Sequence, residues 1–445
     1  MASVLIVNAR IVNEGSVVEG DVLIRHGRIE AIGALQGQTA DQVLDAGGRY
    51  LLPGMIDSQS VCQNGFSTLV VESRAAVAGG VTTLLETGGA NQLLTTLSAR
   101  EALQDECDGS CHANFGFYLT ATADNLETIK TLDPQRVCGI NLFLGAGTDN
   151  AAVMLEDHEQ LEQLFQQAAV PLVAHCEDRP AVTENEESYR GIYGDEIPIE
   201  THSLIHSDEA AAPVTLLALQ LARKTGCRLQ LMHVSSVRET GLLGELVQDE
   251  KLITAEVAVP WLHFCDEDYP ALGSLLKLDP SVKTPEDRAG LIQGVLDGSI
   301  ELIGSGHHAV DLAAKRSSNY FEVASGMPML QHALITLLEH YHDGIFSLEL
   351  IAEKTSHRVA ERFGIPERGF IREGYWADLV LIDLEQPFRD SHYQVLSRSG
   401  WTPFDGYPFR SSIRATLVNG QLVYEAGQLP DRPARGMPLS FHHDA

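Results

Sequence analysis

The chain has 445 residues, 44% of them hydrophobic, and carries 31 basic against 61 acidic side chains for a formal charge of −30. That length holds one large domain and a smaller companion, and the acidic balance argues against nucleic-acid or anionic-membrane partners. No apolar run approaches the ~20 residues that span a bilayer. The acidic surface reads as a solubility device or as adaptation to salt, and charge alone does not support the alternative, a basic partner. The opening Met1-Ala2-Ser3-Val4-Leu5-Ile6-Val7 has no basic region ahead of its apolar stretch and runs straight into a strand-like pattern, unlike a signal peptide. Seven cysteines (62, 107, 111, 138, 176, 227 and 265) are odd in number and scattered, which suits a reducing cytoplasm better than a disulfide framework.

Residues 4–50 alternate as strands, and His26-Gly27 supplies a tight turn between two of them. The same texture returns in 377–383 and 413–424, where Asn419-Gly420 suits a hairpin whose central residues both need positive φ. Strands at both chain ends predict one small β-sandwich from residues 1–52 and 373–445. The middle, 53–372, alternates short apolar runs with helix-period segments. Its strand candidates are 55–61, 81–87, 114–120, 137–144, 171–175, 228–234, 252–259 and 300–304, and helical stretches include 72–78, 161–169, 211–224, 238–248 and 286–296. Eight such units predict an α/β fold with a parallel (β/α)8 TIM-like barrel. Two more helices, 329–342 and 348–363, lead back to the sandwich.

Barrel chemistry sits at the C-terminal strand ends. Strand five ends Val173-Ala174-His175-Cys176-Glu177-Asp178, and strand six ends Leu231-Met232-His233-Val234-Ser235-Ser236. Two histidines on successive strand ends either converge on one metal or form hydrogen bonds at the barrel mouth. Cys107-x-x-x-Cys111-His112 also invites a zinc reading, but its Gly/Asp/Ser-rich setting has no second ligand pair and reads as an ordinary loop. His442-His443 reads as a disordered tail.

Nearly end to end, the chain resembles a dihydroorotase of the cyclic-amidohydrolase branch of the amidohydrolase superfamily. The resemblance rests on Pro53-Gly54-Met55-Ile56-Asp57, the run from Glu72 through Gly79-Gly80-Val81-Thr82-Thr83, and His175-Cys176-Glu177-Asp178. It continues in Thr254-Ala255-Glu256-Val257, Ser325-Gly326-Met327-Pro328, Lys354-Thr355-Ser356-His357, Gly374-Tyr375-Trp376-Ala377-Asp378, Gly400-Trp401-Thr402-Pro403-Phe404 and Thr416-Leu417-Val418-Asn419-Gly420. It implies a hydrolase that opens or closes a cyclic amide with one or two zinc ions, bridged by a carboxylated lysine, while an aspartate shuttles the proton.

At the positions the resemblance marks for this chemistry, the chain departs from the pattern. The two histidines of strand one are Gln59 and Val61, and the substrate-clamping arginine is Gln63. The lysine of strand four is Asn141, whose amide cannot become a carbamate, and the aspartate of strand eight is Gly306, which offers neither ligand nor base. A Pro-Asn-Thr loop is replaced by Gly88-Gly89-Ala90, a late histidine by Val310, and an asparagine before proline by Asp279. His175 and His233 remain as residual metal ligands, with His308, Cys62, Cys176 or Glu177 to complete a shell. Strand alternation aims His307 and Cys62 away from the site.

The expected function is therefore a dihydroorotase-like pseudoenzyme of pyrimidine-biosynthesis ancestry that acts as a structural or regulatory partner. By the resemblance, its partner is aspartate transcarbamoylase, its oligomer a homodimer and its location cytoplasmic, with no metal or at most one zinc. One alternative is an active single-metal hydrolase of an uncharged cyclic amide, using His175, His233 and His308. The other is a metal-free small-molecule binding protein.

Overall fold

A computed structural model of the chain describes residues 2–62, 67–88, 93–145, 158–246, 252–430 and 436–443. All eight expected barrel strands are present: Met55–Ser60, Val81–Glu86, Asn114–Phe117 continued by Leu119–Thr120, Ile140–Leu144, Leu172–Cys176, Leu229–Leu231, Ile253–Ala258 and Leu302–Gly304. They pair in parallel, in chain order, but as two ladders of three and six strands rather than one continuous barrel ladder. The first break is a bend at Tyr118, which splits strand three. There Tyr118 N–H donates to Glu86 O, and Leu119 N–H donates to Gly139 O on strand four.

The second break lies between strands eight and one, and side chains span it. The Asp57 carboxylate accepts from Ser305 N–H and from the Ser305 hydroxyl, both at 2.7 Å. Nearer the rim, Val61 N–H donates to His307 O at 3.0 Å and Ala309 N–H returns to Val61 O at 3.1 Å. Around the ladders, alternation decides what faces in. Ile140, Leu142 and Leu144 pack in the main hydrophobic core, which leaves Gly139, Asn141 and Phe143 on the opposite face. Ile56, Leu85, Val173 and Leu302 share a second cluster with Tyr118 and Phe363.

Phe388–Arg389 pairs with Pro408–Phe409 in a separate two-stranded sheet, and most strands of the two chain ends join one mixed sheet of eight. Its order is Gln421–Glu425, Ser412–Val418, Leu379–Asp383, Tyr50–Pro53, Val4–Asn13, Ser16–Arg25 and Arg28–Gly33, with Gln42–Asp45 also on Val4–Asn13. A bulge between Ile6 and Ala9, with Asn8 at φ 57°, bends the first strand. Its first half pairs with Gln42–Asp45 and its second with Tyr50–Pro53. Both turns read from the sequence are found, with His26 and Gly27 at φ 52° and 82° and Asn419 and Gly420 at 49° and 70°. Among the described residues, no helix is long and apolar enough to cross a membrane.

The expectation of a disordered C-terminal tail is corrected. Phe441 is 1% exposed and joins the cluster of Ile56, Leu85 and Tyr118. Its N–H donates to Gln135 O, His442 N–H to Gly364 O, and His443 Nε2 lies 2.8 Å from Val137 O. A tail that plugs the barrel contributes to its stability. Phe441→Ala should therefore destabilise the protein by about 3 kcal/mol in urea denaturation; an unchanged midpoint would show the docking to be incidental.

Candidate functional site at the barrel mouth

The residues that hold the mouth together come from the motifs themselves. After strand five, Asp178 caps the helix Arg179–Tyr193 by accepting from Ala181 N–H. After strand six, Ser236 and Glu239 form an S-x-x-E pair at the start of the helix Val237–Leu246. The Glu239 carboxylate accepts from Ser235 N–H and from both serine hydroxyls, and Ser236 Oγ accepts from Glu239 N–H. This loop fixes His233, whose backbone sits at φ 51°, a left-handed conformation that side chains other than glycine rarely adopt.

His175 and His233 do come together, with ring centroids 5.8 Å apart in an edge arrangement. His233 also lies against Trp261, centroids 5.2 Å apart, and its Nδ1 is buried without a hydrogen-bond partner among the described residues. Burial lowers the pKa of all three expected ligands, His233 to about 3 and His308 to about 4, so they are neutral imidazoles at pH 7. His308 bridges Val61 through the backbone, and its ring lies against Gly326. The donor atoms of His175, His233 and His308 do not all lie within 4.8 Å of one another.

At the positions that the resemblance marks for chemistry, the surroundings accommodate Gly306 but leave the side chains of Asn141 and Gln59 with unpartnered atoms among the described residues. Gly306 has φ 69°, and a Cβ there would lie 2.9 Å from Ala258 Cβ and 3.0 Å from Pro260 Cδ. An aspartate would meet both the strained backbone and the crowding. Asn141 is completely buried, and neither amide atom has a hydrogen-bond partner among the described residues. Gln59 is buried with its Oε1 likewise unpartnered. Val61 takes part in the strand-one to strand-eight seam, and Val310 O accepts from the Trp401 indole. Gln63, Gly89 and Ala90 lie outside the described residues. A bridged two-zinc centre does not fit this set of side chains.

His307 and Cys62 point away, as alternation implies. His307 Nδ1 accepts from Met329 N–H, and its Nε2 is 3.5 Å from Glu72. Cys62 and Cys176 lie in the main core, and Cys107 and Cys111 are likewise buried there. Glu177 instead binds His206 Nδ1 at 2.9 Å. The sequence reading did not single out His202 and His206. Their rings lie 4.5 Å apart, and with Asp279 they are the one group among the described residues whose donor atoms all fall within 4.8 Å. The signal was present in the i, i+4 spacing of two histidines. Burial lowers His206, but Glu177 and Asp279 outweigh it and raise its pKa. The surrounding loops partly desolvate Asp279, which still reaches solvent, yet His206, His202 and Lys277 hold it below the ordinary carboxylate range.

No protein-family model matches the sequence. Solved structures define the class of fold. An L-hydantoinase from Arthrobacter aurescens superposes with a TM-score of 0.91 over 99% of this chain and 100% of its own at 23% identity. A D-hydantoinase also gives 0.91 over 99% and 100% at 20% identity. At these identities the likeness is one of fold alone. Sequence relatives go further. The L-hydantoinase of Paenarthrobacter aurescens is 26% identical over 443 residues, covering 96% of each chain. The dihydroorotase of Bacillus subtilis (strain 168) is 28% identical over 442 residues, covering 96% of this chain and 99% of its own. An allantoinase of Bacillus velezensis is 24% identical over 432 residues, covering 95% and 94%. The homologues of this chain are cyclic amidohydrolases.

Two buried carboxyls below the mouth make the fold sensitive to pH. Burial raises Asp57 to about 7 and Glu256 to about 8. Glu256 accepts from the Ser58 hydroxyl, and its Oε1 is unpartnered among the described residues. In the unfolded chain both groups ionise near pH 4. Between there and about pH 8 the folded state holds protons that the unfolded state has released, so their contribution falls as pH rises. Glu256→Gln should flatten the decline in melting temperature between pH 5 and 9. An unchanged slope would mean that Glu256 is already ionised in the fold.

Proposed function

We propose that the protein is a cyclic-amidohydrolase homologue that no longer runs two-metal hydrolysis and serves as a structural or regulatory subunit. Asn141 carries the reading: only an amine forms the bridging carbamate, and here a buried amide occupies that position on strand four. Gln59, Val61 and Gly306 support it, because none supplies the missing ligand or base. A carbamoyltransferase of the aspartate transcarbamoylase type is the proposed partner, with a homodimer as the proposed oligomer and the cytoplasm as the proposed location.

A second reading draws on the amide of Asn141 and the Oε1 of Gln59, both without a hydrogen-bond partner among the described residues. Buried polar atoms without partners are costly, about 1–3 kcal/mol each, and an uncharged, amide-like ligand would satisfy them. On this reading the chain is a metal-free binding protein. The hydrolase alternative needs a single-metal site on His175, His233 and His308 and an uncharged cyclic amide as substrate.

The deciding experiment assays dihydroorotate, hydantoin and allantoin with added zinc, alongside elemental analysis. The proposal expects no turnover above background and no more than one tightly held zinc per chain. Two metals per chain, or zinc-dependent turnover, would overturn it. Copurification with a carbamoyltransferase, set against thermal stabilisation by small amides alone, separates the subunit from the binding protein.

A further inference from the structure

His202, His206 and Asp279 meet at the mouth from two parts of the chain. The histidines bracket the short helix His202–Ile205, in the excursion that follows strand five, and Asp279 lies in the segment after strand seven. His206 Nε2 is 3.6 Å and His202 Nε2 3.7 Å from Asp279 Oδ1. Around a zinc ion with bonds of about 2.0–2.1 Å, tetrahedral donors stand roughly 3.3 Å apart. The two histidine–carboxylate separations exceed that by a few tenths of an ångström, and all three donor atoms lie within 4.8 Å of one another.

The surroundings orient both imidazoles. Glu177, itself buried, holds His206 Nδ1 at 2.9 Å, which turns Nε2 toward Asp279. A carboxylate behind a ligating histidine fixes its tautomer and raises its basicity. Tyr320 Oη lies 2.7 Å from His202 Nδ1 and serves as donor or acceptor, so it suits either tautomer. In the metal-free arrangement His202 Nε2–H donates to Leu278 O at 2.7 Å. A metal on Nε2 would require the other tautomer: the Nε2 proton is given up to solvent and one is taken up at Nδ1 from solvent, with no net release, and Nδ1–H then donates to Tyr320 Oη. The histidine side chains are 0% and 5% exposed, whereas that of Asp279 is 43% exposed, so an ion has an entry path and an open coordination position on the Asp279 side.

We infer that His202, His206 and Asp279 form a binding site for one divalent transition-metal ion of the zinc class. Two imidazoles and a carboxylate select such an ion over magnesium or calcium, which prefer all-oxygen shells. The site lies beside the His175–His233 pair without using it, and it ties the strand-five excursion to the strand-seven loop. It goes beyond the proposed function, since a metal held there serves a subunit as readily as an enzyme.

The test uses the full chain, stripped with chelator and titrated with zinc by calorimetry and with cobalt(II) by visible absorption. Wild type should take up one ion per chain. Asp279→Asn, at an exposed position that tolerates the change, should weaken zinc roughly tenfold or more, and His206→Gln should do the same. The double variant His175→Gln/His233→Gln should bind as wild type does. Circular dichroism checks that each variant is folded, and if His206→Gln is not, Asp279→Asn alone decides. Absence of uptake by folded wild type would overturn the inference, as would binding kept in Asp279→Asn and lost in the double variant. Both results are independent of turnover, which tests the proposed function.

Discussion

The fold hinges on the Asp57 carboxylate. Strands one and eight lack a continuous backbone ladder, and Asp57 joins them by accepting from Ser305 N–H and Oγ. Beside it, Ser58 reaches the carboxyl of Glu256 on strand seven over Gly304, where a Cβ would lie 2.5 Å from Glu256 Oε1. Three strands thus converge on two acidic side chains in a region closed to water. A lost partner there leaves a buried polar group unsatisfied, so the seam constrains all three positions at once. The rim pairing of Val61 with His308 sits directly above it.

That dependence explains which motifs persist. Asp57 belongs to the Pro-Gly-Met-Ile-Asp run and holds the seam, and Asp178 of His-Cys-Glu-Asp caps a helix. Lys354 donates to Ile300 O and Ser356 to Gly54 O, so the Lys-Thr-Ser-His run secures strands eight and one at their starts. Each of these residues has a partner whose loss would cost stability. At the positions that the resemblance assigns to chemistry the picture is mixed: Gly306 is held by its positive φ and by Ala258 and Pro260, whereas Gln59 and Asn141 keep buried atoms unpartnered among the described residues.

The barrel strands and hairpins were legible because period and turn chemistry are local signals. The seam was not, since Asp57 and Ser305 are 248 positions apart and nothing in either segment announces the other. The C-terminal tail misled for a related reason. Its composition reads as a solvated end, while Phe441 finds its place only once the strands enclose an apolar floor. His202 and His206 were passed over because attention to strand ends overlooks a short helix in a long connection. In the sequence Asp279 stands out only as a replacement before proline, and only the packed loops reveal its histidine neighbours.

The histidine cluster at the mouth also has a mechanical side. Ligands carried on strand ends are positioned by the ladder, which holds their backbones within a rigid frame. His202, His206 and Asp279 stand on connections, positioned by Glu177, Tyr320 and Leu278 rather than by strand pairing. Donors held in this way adjust more readily to an ion but fix a reacting geometry less tightly, and chemistry requires its groups to stay within a fraction of an ångström. Donors carried on two connections in this way are suited to fastening those connections to each other.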